Sequence, residues 1–350
     1  MCVCVNVVTR HMKIVSEYYK NIISLENLLE AWQEFIIGKR SRKDVQQFER
    51  NLMSNIINLN AGLKSGGYKH STYYPFKISD PKPRSIHKAS VRDRILHKAI
   101  YRILYPVFDK TFVYDSYSCR NGKGTHKAFS RLASLARKVS KNYTKPCFAL
   151  KLDIRKFFDS VDHEVLMGLL SKRIEDKKLL NLLKNIISSF EHSSGKGMPL
   201  GNLTSQLFAN VYLDPLDKFA KHHLRAKYYL RYADDFLFLS DNPDELIEYL
   251  VEVNQFLKTE LKLKIHPDKI SFRKLKWGID YVGYVALPHY QLPRVKTVKR
   301  ISQKIFQSLA VDDVESITKA MPSYLGYLSH ANAYKLQSDL LKSCRAGNLL

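Results

Sequence analysis

Two adjacent aspartates inside an apolar hairpin constrain this chain more than any other feature. In YYLRYADDFLFLS, residues 228–240, Asp234 and Asp235 lie among Leu230, Tyr232, Phe236, Leu237, Phe238 and Leu239. Two short aromatic-rich runs about a tight turn predict a β-hairpin. Neighbouring carboxylates in such surroundings are costly unless a cation offsets them. An ordinary Asp-rich surface turn is the alternative. It is weakened by the hydrophobic run on each side and by a third aspartate, Asp153, which closes a separate buried-strand pattern, CFALKLD at 147–153. Three carboxylates on converging strand ends suit Mg2+, which takes oxygen ligands and keeps positions open for substrate phosphates. The expected metal contacts are Asp153, the adjoining Ile154, Asp234 and Asp235, holding two Mg2+ ions, with Mn2+ as the substitute. Asp153 and Asp234 are expected to bridge the ions and Asp235 to support them.

Around these strands the pattern is mixed. Apolar spacing at Leu25, Leu28, Leu29, Trp32, Phe35 and Ile36 predicts a helix over 24–37, with Ser24 as N-cap and Gly38 as its end. One further helix is expected over 45–62, then an extended segment over 72–80 and a turn at Pro81-Lys82-Pro83. Helices follow near 91–105, 163–171, 176–190, 202–223 and 243–260. A loop occupies 193–201, a strand pair or edge 278–285, and the tail from 291 is helical and at first basic. The order lacks a regular βαβ rhythm, so the expected fold class is α+β.

Lys and Arg total 57 against 33 Asp and Glu, a net charge of +24. A surplus this large points to a polyanionic partner, because each phosphate contact releases counterions. A membrane-surface protein would concentrate the charge on one basic amphipathic helix. No apolar run approaches the roughly 18 residues of a membrane span. The opening MCVCVNVV lacks the basic start and small-residue cleavage site of a signal peptide. Cytoplasm is therefore the expected location, with Met12 as an alternative start. Five scattered cysteines read as reduced thiols, since Cys2 and Cys4 alone make a poor zinc signature. Gly122-Lys123-Gly124 is too short for a P-loop. His163 and Glu164 beside Asp162 read as a helix N-terminus rather than as ligands.

The segments FALKLDIRKFFDSVD, GMPLGNLTSQLFANVYLDPLD and YLRYADDFLFLS together resemble the palm motifs of reverse transcriptases, and the similarity runs over about 80–285. The resemblance implies a right-hand polymerase. An N-terminal region and fingers would occupy 1–146, a palm 147–290 with fingers helices inserted at about 163–195, and a thumb 291–350. It implies synthesis of cDNA from dNTPs on a template RNA, with Asp153, Asp234 and Asp235 catalytic. Phe158, five residues after Asp153, would pack on the sugar of the incoming nucleotide and exclude a 2′-hydroxyl; its neighbour Phe157 is expected in the core. Lys82 and Arg84 would grip the triphosphate. Arg120 matches a second fingers motif. Lys269, in HPDKISF, would protonate pyrophosphate or neutralise charge, and Gly283, in YVGY, would shape the turn that holds the primer end. Tyr232, Arg294, Lys296, Lys299 and Arg300 are further template–primer candidates, the last four within a basic stripe between 269 and 304.

Leu200-Gly201-Asn202-Leu203-Thr204-Ser205-Gln206 narrows the resemblance. Most reverse transcriptases carry Gln-Gly…Ser-Pro in this motif; here Leu200 stands for the Gln and Gln206 for the Pro, as in the enzymes of diversity-generating retroelements. An aliphatic Leu200 near the incoming nucleotide cannot form the hydrogen bond that Gln would. The implied consequence is misincorporation opposite template adenines, with the mutated cDNA replacing a variable gene segment. That family's usual partners are a structured template RNA and a small basic accessory protein. The 67 residues after Gly283 leave room for a short thumb, but not for maturase or endonuclease extensions. Competing expectations are a defence-associated or retron-like reverse transcriptase, an RNA-templated RNA polymerase (against which Phe158 counts) and a catalytically inactive RNA-binding scaffold (against which the three aspartates count).

Overall fold

The computed structural model describes residues 17–79, 83–311 and 313–346. The chain opens with helices α1 (Tyr18–Ile23), α2 (Leu25–Ile36), α3 (Lys43–Arg50) and α4 (Leu52–Lys64), then strands β1 (Tyr74–Ile78) and β2 (Arg84–Lys88). Helices α5 (Val91–Asp109) and α6 (Thr125–Val139) lead to β3 (Phe148–Asp153), followed by α7 (Phe157–Ser160), α8 (His163–Ser171), α9 (Lys177–Ser188) and α10 (Leu203–Lys218). The hairpin β4 (Tyr229–Tyr232) and β5 (Asp235–Ser240) precedes α11 (Pro243–Glu260), β6 (Ser271–Lys274), β7 (Ile279–Tyr281), β8 (Tyr284–Ala286) and β9 (Gln291–Pro293). Helices α12 (Val295–Ala310), α13 (Val314–Ser329) and α14 (Tyr334–Ala346) complete the order, which is α+β as expected.

The chain divides into two compact units. The first comprises residues up to Val113 with Arg155–Lys218 and Phe256–Lys264; the second comprises Tyr114–Ile154, Phe219–Gln255 and Ile265 onward. In the first unit, α5 is the central helix and packs against α2 and α10. Its start is a reciprocal cap: the Asp93 backbone N–H donates to Ser90 Oγ at 3.2 Å, and Ser90 Oγ donates to Asp93 Oδ2 at 2.7 Å. Asp93 is buried, yet it also accepts from Tyr68 OH (2.9 Å), the Ser71 backbone N–H (3.0 Å) and Arg92 Nε (3.1 Å). Asp162 caps α8 through the backbone N–H groups of Glu164 and Val165, each at 3.1 Å, which bears out the reading of 162–164 as a helix N-terminus.

In the second unit, an antiparallel sheet of order β4-β5-β3-β6 carries the hairpin at one edge. Helix α6 covers it, burying Phe129, Leu132 and Leu135 against Ala149, Leu230, Leu237 and Leu239. A second sheet runs β7-β8-β9, and α12 and α13 close around Ile301, Ile305, Ile317 and Met321.

Several elements differ from the sequence reading. The helix expected over 45–62 is two helices, because Asn51 leaves the helical basin (φ −120°, ψ 37°) and turns its N–H to the Glu49 carbonyl; Asn is among the weaker helix formers. The helix expected over 202–223 is α-helical only to Lys218, and Phe219–His223 forms a π turn. Helix α6 and strands β6 and β9 had no expected counterpart. Among the described residues, no helix is long and apolar enough to cross a membrane. Cys119 and Cys147 are free thiols. Cys2, Cys4 and the alternative start Met12 lie outside the described residues, and the Cys344 side chain is not described.

Candidate active site

The hairpin places the carboxylates. Strand β5 pairs antiparallel with both β4 and β3, so Asp235 stands opposite Tyr232 on one side and opposite Asp153 on the other. Ala233 and Asp234 form the connection, and Ala233 takes the left-handed conformation at φ +55°. That conformation costs a non-glycine residue about 1 kcal/mol or more and persists only where the surroundings enforce it.

The enforcing group is Arg231. Its side chain is fully buried in β4, where Nη1 donates to the Ala233 carbonyl at 3.1 Å and Nη2 to Ser116 Oγ at 3.0 Å. The guanidinium thus bonds the carbonyl of the strained residue and ties it to Ser116. Arg231→Met is expected to destabilise the protein by about 3 kcal/mol, because it removes charged donors from buried acceptors. Urea unfolding of the two proteins measures this; a loss under about 0.5 kcal/mol, the scale of an ordinary surface substitution, would contradict the clamp.

The electrostatics are those of crowded anions. Burial pushes the Asp235 carboxyl up to about 6; Lys151 opposes this, while the charges of Asp153 and Asp234 and a hydrogen bond with Asp153 add to it. Lys151 Nζ lies 3.5 Å from Asp235 Oδ2. Lys269 Nζ donates to Asp153 Oδ1 at 2.6 Å. The Ile154 backbone N–H donates to the Asp234 carbonyl at 3.3 Å, and Asp153's own carbonyl accepts from the His266 N–H at 2.8 Å. Among the described residues, no three His, Cys, Asp or Glu side chains form a ready-made metal cage. The residues nevertheless fit Mg2+, which characteristically takes one or two carboxylates and completes its shell with water and substrate phosphates. Two carboxylates in register, each with a lysine at its edge, concentrate negative charge that a divalent ion would offset.

The other sequence candidates separate between the two units. With the carboxylates, the second unit holds Tyr232, Arg120, Lys269, Gly283 and the basic residues of α12. Arg120 Nη1 donates to the Ser116 carbonyl at 3.1 Å. Gly283 has φ +102° in the β7–β8 turn, and its carbonyl accepts from the Arg294 backbone N–H at 3.0 Å and from Tyr327 OH. Arg294 also pairs with Asp280. Lys296, Lys299 and Arg300 occupy spacings that share one helical face, and neighbouring Ile301 and Ile305 are buried.

The first unit holds Arg84, Phe158, Leu200 and Gln206. Met198 N–H donates to the Phe158 carbonyl at 2.8 Å, and His87 N–H, in β2, donates to the Leu200 carbonyl at 3.1 Å. Leu200 is half-buried and Gln206 exposed, while Phe157 is buried against Tyr212. Lys82 lies outside the described residues. Sequence reasoning missed Arg231 and Lys151. A charged residue within an apolar strand was the available signal for the first, and the two-residue spacing from Asp153 for the second.

Comparison with known proteins adds the family. A family model described as "Reverse transcriptase (RNA-dependent DNA polymerase)" matches residues 76–286. The COX1/OXI3 intron 2 protein of Saccharomyces cerevisiae is 23% identical over 335 residues, covering 76% of this chain and 36% of that protein. Protein YkfC of Escherichia coli is 24% identical, covering 63% of this chain and 68% of its own length. The group II intron-encoded protein LtrA of Lactococcus lactis is 27% identical over 165 residues, 43% of this chain and 26% of that one. The chain thus spans about a third of the yeast relative and about a quarter of LtrA. The solved structure of Candida albicans telomerase with a TWJ fragment of telomeric RNA shares the fold, with TM-score 0.50, 12% identity, and coverage of 70% of this chain and 51% of that one.

Proposed function

This chain belongs to the reverse transcriptase family, whose right-hand polymerase fold it shares, and on that premise we propose that it copies a template RNA into cDNA from dNTPs at Asp153 and Asp234. The single observation that carries the reading is the register of Asp153 against Asp235 beside a turn held in the left-handed conformation by Arg231. Two Mg2+ ions, or Mn2+ in their place, would be held by Asp153, the Ile154 backbone, Asp234 and Asp235, and would activate the primer hydroxyl and offset the charge of the leaving pyrophosphate. Lys269 would hold a proton near that pyrophosphate. Phe158 would close the sugar pocket to a 2′-hydroxyl, and Lys82 and Arg84 would bind the triphosphate. Arg120, Tyr232, Gly283 and the α12 stripe would seat the template–primer duplex. We assign the N-terminal region and fingers to 1–146, the palm to 147–290 with inserted fingers helices, and the thumb to 291–350.

The finer reading is an error-prone enzyme of a diversity-generating retroelement, working with a structured template RNA and a small basic accessory protein. Leu200 and Gln206 support it, since an aliphatic side chain at 200 removes a hydrogen bond that would discriminate base pairs. Primer extension on a mixed-sequence RNA, followed by cDNA sequencing, tests both levels. The expected product carries errors concentrated opposite template adenines, and Leu200→Gln is expected to lower them several-fold. An unchanged error spectrum in that variant would sink the role of Leu200. Accurate synthesis by the unmodified protein would favour a retron-like or defence-associated enzyme, and RNA binding without synthesis would favour the scaffold.

A further inference from the structure

Two buried histidines connect the Leu200–Gln206 segment to the strand-entry chain at 68–73, all within the first unit. His97 Nδ1 lies 2.7 Å from Thr204 Oγ1, and His97 Nε2 lies 3.0 Å from His70 Nε2. His70 Nδ1 lies 2.6 Å from the Ser71 carbonyl oxygen. Thr204 and His97 are buried, and the His70 side chain is wholly shielded from solvent. Tyr73 stacks on His70 at 4.7 Å.

With both rings neutral, a single polarity satisfies every link. A carbonyl oxygen only accepts, so His70 Nδ1 carries the proton. In a neutral ring the other nitrogen is then an acceptor, so His70 Nε2 must receive from His97 Nε2–H. That leaves His97 Nδ1 as an acceptor, and the Thr204 hydroxyl must donate to it. This arrangement has both rings neutral, the form that burial favours in each. Burial pushes His97 down to about 3, with Asp93 opposing. Burial also lowers His70, against the charge of Asp93 and the bond to Ser71, while Arg92 adds to the lowering. Asp93 in turn ties down the Ser71 backbone N–H, so the acceptor at the end of the chain is itself held.

We propose that Thr204, His97 and His70 form a proton-ordered relay that makes Thr204 a positioning residue for the nucleotide-contacting segment 200–206. The segment has two braces. On one side Leu200 and Asn202 meet His87, through Leu200 O to His87 N–H and Asn202 Nδ2 to the His87 carbonyl at 3.4 Å. On the other, Thr204 in the first turn of α10 is fixed in rotation by its directed hydroxyl. Losing that bond leaves a buried imidazole nitrogen unsatisfied and frees the turn that presents Leu200 and Gln206. The proposal rests on the polymerase reading for its consequence, but not for the relay itself.

The experiment compares Thr204→Val, which keeps the shape and removes the hydroxyl, with Thr204→Ser, which restores it. In 15N-histidine spectra of the full chain, His70 is expected as the Nδ1–H tautomer and His97 as the Nε2–H tautomer, neither titrating between pH 5 and 8. Thr204→Val is expected to move the His97 Nδ1 resonance and to speed amide exchange at His87; Thr204→Ser returns both. In primer extension, Thr204→Val is expected to raise KM for dNTP about tenfold, the scale of one buried hydrogen bond, with kcat within about twofold. The opposite tautomers, or titration of either ring in that range, would overturn the relay. A loss of kcat alone, or a His87 amide unaffected by the valine, would overturn the positioning role. An unmodified protein that synthesises nothing counts against the polymerase reading instead, and the spectra and the His87 amide still decide the relay.

Discussion

Asp234→Asn is expected to cut primer extension by about 10³-fold or more, because a lost metal-binding carboxylate removes several kcal/mol of transition-state stabilisation. The substitution keeps the shape of the turn, so folding survives. In metal-free buffer the variant should melt at or above the temperature of the unmodified protein, since one of three crowded carboxylates is gone and burial with neighbouring negative charge is what holds the Asp235 proton up to about 6. Adding Mg2+ should then raise the melting temperature of the unmodified protein more than that of the variant, by linkage. Extension assays and thermal melts, each with and without Mg2+, measure the pair of effects. A variant that retains more than about a tenth of the activity would exclude Asp234 as an essential ligand, since a tenfold loss corresponds to only about 1.4 kcal/mol.

Asp93→Ala is expected to destabilise the protein by about 3–5 kcal/mol, the scale for removing one partner of a buried charge network. The substitution deprives Tyr68, Ser71, Ser90 and Arg92 of a shared acceptor and opens the start of α5. A loss of that size corresponds to a fall in melting temperature of about 10 °C. The pH dependence has a definite sign. Burial would raise the Asp93 carboxyl, but the hydrogen bond from Ser90, the charge of Arg92 and the bond from Ser71 hold the group below the ordinary carboxylate range. A depressed carboxylate contributes its full stability above its unfolded value of about 3.9 and loses it as the pH falls through the lower folded value. The gap between the unmodified protein and Asp93→Ala should therefore be constant from about pH 5 to 8 and narrow only in stronger acid. Urea titrations across that range test it; a gap that closes at neutral pH would assign the stability to another group.

The two predictions concern different units, and the contrast shows where the sequence was legible. The hairpin at 228–240 and the strand ending at Asp153 could be read directly, because strand periodicity, aromatic content and a two-residue turn are local properties. The N-cap at Ser24 follows the same logic, as it depends on residues within three positions. The family match over 76–286 extends this, since its motifs are short strings with fixed spacing.

The aspartates, the alternation around them and the motif at 200–206 were determined by the order of residues alone. Only the tertiary structure decided what stands behind them. Lys269 reaches Asp153 across 116 positions, Arg231 meets Ser116 across 115, and His97 meets Thr204 across 107. Helix α6 was overlooked although its apolar positions are regular, because its worth lies in covering strands that follow it in the chain. The physical reason is common to all of them. A propensity or a cap is decided by neighbours along the chain, whereas a buried charge or imidazole is tolerated only when folding brings a distant partner to it, and no local pattern records which partner that is.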